Sequence, residues 1–125
     1  MLTVATCGPD APNDAILPFV TLNGSVKAAE EQAYPDERPE MFLMQEAVYL
    51  ASQATDLHEI KGTGLPPVGE VLEGLKSYDI RMIACVPCAE ARGITSEDQL
   101  IEPAEFGTGK DLAKMTQQHD QVLTF

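Results

Sequence analysis

The chain has 125 residues and a formal charge of −12, from 20 acidic and 8 basic side chains. Such a surface repels nucleic acid and anionic membranes, because both require phosphate neutralisation by Lys and Arg. A hydrophobic content of 44% excludes a disordered tail and predicts one domain, residues 1–125, with its own core.

In chain order, Leu2–Thr6 reads as a buried strand, followed by a turn at Gly8-Pro9-Asp10-Ala11-Pro12. Asn13 or Asp14 then caps a long helical segment running to about Gln32. Pro18 kinks that segment or marks its true first turn, and the small Gly24 suits close packing on a sheet. Tyr34–Pro39 is a polar loop, Met41–Met44 a second strand, and Glu46–Ser52 a short helix with Ala47, Val48, Leu50 and Ala51 partly buried. Asp56–Gly64 is a loop in which Gly62-Thr63-Gly64 makes a turn. After Pro66 and Pro67, residues Val68, Val71, Leu72 and Leu75 form an apolar helical stripe with Glu70 and Glu73 on the other face. Ile80–Ala84 is a third strand, and Pro87–Arg92 a short helix that Gly93 stops. Thr95-Ser96-Glu97-Asp98 resembles a capping box. Ala104–Phe106 is a fourth strand, Lys110–Gln118 a helix marked by Leu112 and Met115, and Val122–Phe125 a closing strand. Alternation of this kind implies an α/β fold with a mostly parallel sheet covered on both faces. Reactive groups then gather at the carboxyl ends of the strands, where both Cys7 and Cys85 fall.

The chemistry concentrates in Cys85-Val86-Pro87-Cys88. A thiol at a strand-to-helix turn faces unpaired backbone N–H groups, which favour thiolate, so a depressed Cys85 pKa is expected. Four readings of the pair stand. The cysteines are small buried hydrophobes; or they are half of a metal site that Cys7, His58 or His119 would have to complete; or they are a thiol–disulfide oxidoreductase pair; or Cys85 is a nucleophile that takes sulfur from a persulfide and passes it on. Arg92 either fixes the cysteine loop, the favoured role, or lies near the sulfur anion. His58 and His119 are expected to face solvent, and no isolated buried acidic pair suggests acid–base catalysis. No run of residues approaches a membrane span, Met1–Ala5 is too short for a signal peptide, and three cysteines argue against a disulfide scaffold. A cytoplasmic protein with reduced thiols is expected.

Several segments together resemble the DsrE/DsrF/DsrH-like family, which includes the TusD-type sulfur-relay subunits. They are Thr6-Cys7-Gly8-Pro9-Asp10, Leu65-Pro66-Pro67, Cys85 with Arg92-Gly93, Ala104-Glu105-Phe106 and Val122-Leu123-Thr124-Phe125. In the sulfur-carrying members a single cysteine stands eight residues before the glycine of an Arg-Gly pair, as Cys85 stands before Gly93. The resemblance implies a five-stranded, three-layer α/β/α, flavodoxin- or Rossmann-like fold assembled into homotrimers or hexamers. It also implies a persulfide on Cys85, with sulfur donor and acceptor proteins as partners and with no cofactor, metal, nucleic acid or membrane. Cys88 is expected as an auxiliary or resolving thiol and Cys7 and Arg92 as possible auxiliaries. Some relatives lack the cysteine, so a non-catalytic binding or scaffold subunit is the alternative.

Overall fold

In the computed structural model, which describes residues 1–32 and 38–125, five parallel strands form one sheet in the order β4-β3-β2-β1-β5. They are β1 Leu2–Ala5, β2 Glu40–Leu43, β3 Arg81–Cys85, β4 Ala104–Gly107 and β5 Val122–Thr124. The α-helices are α1 Pro12–Ala15, α2 Leu17–Glu31, α3 Val68–Lys76, α4 Val86–Glu90 and α5 Gly109–Gln118. Of the polar loop expected over Tyr34–Pro39, residues 34–37 lie outside the described residues.

The layering follows from crossover handedness. Travel from β1 to β4 moves one way across the sheet, whereas the last step returns from β4 past β1 to β5. A constant right-handed crossover therefore puts α5 on the face opposite α2 and α3. Side chains confirm it. Ala5, Met41, Leu43 and Met82 pack with Phe19, Leu22, Val26, Val71 and Leu75 of α2 and α3. Leu2, Val4, Phe42 and Ile83 pack with Met115 of α5. Strands β1 and β2 are buried along their whole length, as parallel strands covered on both faces must be.

Local departures have local causes. Neither Asn13 nor Asp14 caps the first helix; Ala11 is its N-cap with Pro12 in the first turn. Asn13 Oδ1 instead accepts from the Thr63 N–H at 2.8 Å, tying the Gly62-Thr63-Gly64 turn to α1. Pro18 lacks the N–H that would reach the Asp14 carbonyl, so α1 breaks at Ile16 and Pro18 enters the first turn of α2. Gly24 is exposed and a Cβ there would meet nothing within 4 Å, so it packs on no sheet. The segment after β2 is a 3₁₀ helix, Gln45–Ala51, whose Ala47, Val48, Leu50 and Ala51 are fully buried rather than partly. The capping box lies one residue later than expected: Ser96 pairs with Gln99. His58 is exposed, yet its ring lies over Gly69 of α3, where a Cβ would come within 2.5 Å of Nδ1.

Candidate functional site

Three loops meet at the carboxyl ends of β1, β2 and β3: Thr6–Pro9, Met44–Glu46 and Cys85–Arg92. The first two are joined by a Met44 N–H to Ala5 carbonyl bond of 3.0 Å. Gly8 then passes so close to Glu46 that a Cβ would sit 2.4 Å from the Glu46 carbonyl oxygen, so no larger residue fits without displacing backbone. Gln45 takes a left-handed conformation, φ 54°, which swings Glu46 towards the third loop. There Glu46 Oε1 accepts from Arg92 Nη2 at 2.7 Å and Nε at 3.0 Å.

The third loop is built around one helical turn. Cys85 is the last residue of β3 and the N-cap of α4, with Val86 and Pro87 following and Cys88 at the third helical position. Past α4, the Ile94 N–H bonds the Ala89 carbonyl and the Gly93 N–H the Glu90 carbonyl, at 2.9 and 3.1 Å. With Gly93 at φ 80°, this is a Schellman closure, and Ile94 packs back on Ala89. The closure turns Arg92 inward, where its Nη1 donates to the Cys88 carbonyl at 3.0 Å. Arg92 therefore staples the loop to Glu46, the structural role favoured for it.

All three cysteines are free and partly exposed. Cys85 and Cys88 share one turn, whereas Cys7 follows β1, two inter-strand spacings or about 10 Å from β3. The Cys7 sulfur has the Thr6 hydroxyl 4.0 Å away, and that hydroxyl donates to the Phe125 carbonyl at the end of β5. Cys85 packs against the Leu2, Val4, Phe42, Ile83 and Met115 cluster, so one side of its sulfur is apolar and the other open.

The expected depression of the Cys85 pKa is not found. Burial pushes the thiol up; the Cys88 backbone N–H and, more weakly, Arg92 pull the other way, while the Cys88 side chain adds to the upward push. The physical reason is the size of α4. Five residues align few peptide dipoles, and no side-chain capping bond is closed at its start. The Arg92 charge is meanwhile committed to Glu46. On the far side, Asp111 occupies the N-terminus of α5, accepting from the Thr108 N–H at 2.7 Å and holding its own carboxyl below the usual range.

His119 does not face solvent. Its Nε2 lies 2.6 Å from Glu40 Oε1, and both side chains are about nine-tenths buried. Glu40 Oε2 pairs with Arg81 Nη1 at 3.2 Å, and Arg81 Nη2 with Glu105 at 2.6 Å. This chain of four polar side chains crosses β2, β3 and β4 at the amino-terminal edge of the sheet, opposite the cysteines. Alternation within β2 could have suggested an inward Glu40, but nothing local to His119 signals its partner, 79 residues away. Among the described residues, no group of three or more His, Cys, Asp or Glu side chains gathers where a metal ion would sit. None of their helices is long and apolar enough to cross a membrane.

Comparison with known proteins adds a family. A model described as the DsrE/DsrF-like family matches residues 19–125. YchN of Escherichia coli K12 is 31% identical over 107 residues, covering 86% of this chain and 85% of YchN. An uncharacterized protein of Methanopyrus kandleri, MK0008, is 32% identical over 89 residues, covering 71% of this chain and 69% of that one. The crystal structure of Escherichia coli YchN superposes with a TM-score of 0.71 at 29% identity, covering 99% of this chain and 97% of YchN. MTH1491 of Methanobacterium thermoautotrophicum, a protein of unknown function, shares the fold at a TM-score of 0.62 and 12% identity, with 99% and 96% covered.

Proposed function

Because the chain belongs to the DsrE/DsrF-like family, we propose that it is a sulfur-relay protein that carries sulfur as a persulfide on Cys85. The observation that supports this most is the position of Cys85: a partly exposed sulfur at the carboxyl end of a central strand, beside the Cys88 N–H. Deprotonated Cys85 attacks the outer sulfur of a donor persulfide; the donor S–S bond breaks, and the donor leaves as a thiol carrying the proton that Cys85 gave up. Sulfur changes hands with no net oxidation. An acceptor thiol repeats the exchange in the outward direction.

Cys88 is the auxiliary thiol. Its attack on the inner sulfur forms a Cys85–Cys88 disulfide and expels hydrosulfide, and an external dithiol reductant then resets the pair. Cys7 lies outside this exchange, and Arg92 holds the loop rather than the sulfur. The setting is cytoplasmic, and the working form is a homotrimer or hexamer. Light scattering is expected to give a trimer or hexamer of the 13.5 kDa chain; a monomer or dimer would remove the assembly.

Radiosulfur supplied on a persulfide donor should be retained by Cys88→Ser, and by the wild type only until Cys88 discharges it as hydrosulfide. Retention by Cys85→Ser at the Cys88→Ser level would overturn the reading. A second reading, a scaffold subunit without sulfur chemistry, is favoured by the upward push that burial gives the Cys85 thiol. It requires Cys85→Ser/Cys88→Ser to assemble and bind as the wild type does.

A further inference from the structure

Cys85 has a sulfur-bearing neighbour that the relay leaves idle. The Met44 N–H bond to the Ala5 carbonyl carries the line of β2 one residue past Leu43, with Met44 still extended at φ −137° and ψ 167°. Leu43 pairs with Ala84 in the parallel register, so Met44 stands beside Cys85, one inter-strand spacing of about 4.8 Å away. Both side chains point to the same face. They pack, partly exposed, on the cluster that holds Phe42 and Ile83, each two residues earlier in its strand. On its other flank Cys85 pairs with Gly107, which has no side chain to crowd the sulfur. Cys88 follows three residues on in the same turn, which brings its Cβ within about 5–6 Å of the Cys85 Cβ. One thioether and two free thiols therefore meet at one point of the rim.

We propose that Met44, Cys85 and Cys88 form a binding site for a soft monovalent metal ion, Cu(I). Thiolate and thioether sulfurs together select Cu(I), whereas carboxylate and carbonyl oxygens suit the harder cations. Structural Zn²⁺ takes four ligands from thiolate, imidazole and carboxylate, and no such group gathers among the described residues. Two carboxylates of the rim, Glu46 and Asp111, are committed to Arg92 and Thr108. Met44 thus fills the place that Cys7, His58 or His119 would have had to take; His119 is bound to Glu40 at the opposite edge. On binding, two copper–thiolate bonds and one copper–thioether bond form, the two thiol protons pass to solvent, and no oxidation state changes. The site does not require Cys85 to carry sulfur. It uses the same atom, however, so bound Cu(I) and a persulfide exclude one another.

The test titrates the reduced full chain, without oxygen, against Cu(I) held by the coloured chelator bicinchoninate. One Cu(I) per chain should pass to the protein, and X-ray absorption at the copper edge should show three sulfur neighbours. Cys85→Ser and Cys88→Ser should each weaken uptake at least about a hundredfold and Met44→Leu about tenfold, while Cys7→Ser binds as the wild type does. No uptake, fewer than three sulfur neighbours, undiminished affinity in Met44→Leu, or a loss in Cys7→Ser equal to that in Cys85→Ser overturns the proposal. The sulfur count is read on the wild type, so a folding defect in a variant does not decide the matter. Sulfur loading of the metal-free protein is a separate readout. Copper uptake by a chain that never accepts sulfur keeps this site and removes the carrier role, and loading without copper uptake does the reverse.

Discussion

A sulfur at the last position of a central strand stands between two solvents. On one side Cys85 touches the apolar cluster under α5; on the other it meets the Cys88 N–H and open water. Burial is the largest influence and favours the neutral thiol, so its alkylation midpoint should lie above that of an unfolded cysteine peptide. A midpoint below the peptide value would show that the backbone amides outweigh burial. Gly8 is the residue that fixes the neighbouring loop. Gly8→Ala should force the Glu46 backbone away, costing about 1–3 kcal/mol in a chemical denaturation curve and loosening the Arg92 staple. An unaltered curve would mean the loop yields freely. At this scale the cysteine spacing and the Gly93 stop were legible because both are local. The direction of the Cys85 shift was not, because it depends on Leu2, Val4, Phe42 and Met115, which come from three other elements.

Elements are held in register by groups far apart in the chain. Glu40 opens β2, Arg81 opens β3, Glu105 lies in β4, and His119 ends α5; their contacts of 2.6–3.2 Å clamp the edge of the sheet remote from the cysteines. Burial alone would raise the Glu40 carboxyl, but hydrogen bonds from His119 and Arg81 outweigh it and hold it below the usual range. A folded-state pKa below the unfolded value means the stabilisation is complete above the ordinary carboxylate range. It is lost as pH falls through the folded value. Glu40→Gln should therefore cost about 1–3 kcal/mol at neutral pH and flatten the loss of stability below about pH 5. An acid limb as steep as that of the wild type would contradict this. Helix α3 and both cysteine-flanking elements were readable from apolar spacing and from Pro and Gly placement. The α1–α2 break was announced by Pro18, whereas the 3₁₀ segment and the His119 clamp were not readable, because each is decided by a partner distant in sequence.

For the whole molecule, the return of the chain from β4 across to β5 sets the architecture. It puts α5, alone among the described helices, on one face, brings Phe125 to the Thr6 hydroxyl, and gathers three loops from β1, β2 and β3 at one rim. Alternating strands and helices announced the α/β class, and the family segments announced a five-stranded sheet. The strand order was hidden because nothing in β5 alone says that it pairs with β1. The account of function rests on where sulfur lodges. Intact mass and peptide mapping after exposure to a persulfide donor test that most directly. Cys88→Ser, in which the sulfur is not discharged, should gain about 32 Da, one persulfide sulfur, on the peptide containing Cys85, and Cys85→Ser should gain nothing. The same gain in Cys85→Ser, or a Cys88→Ser protein whose mass never changes, would contradict it.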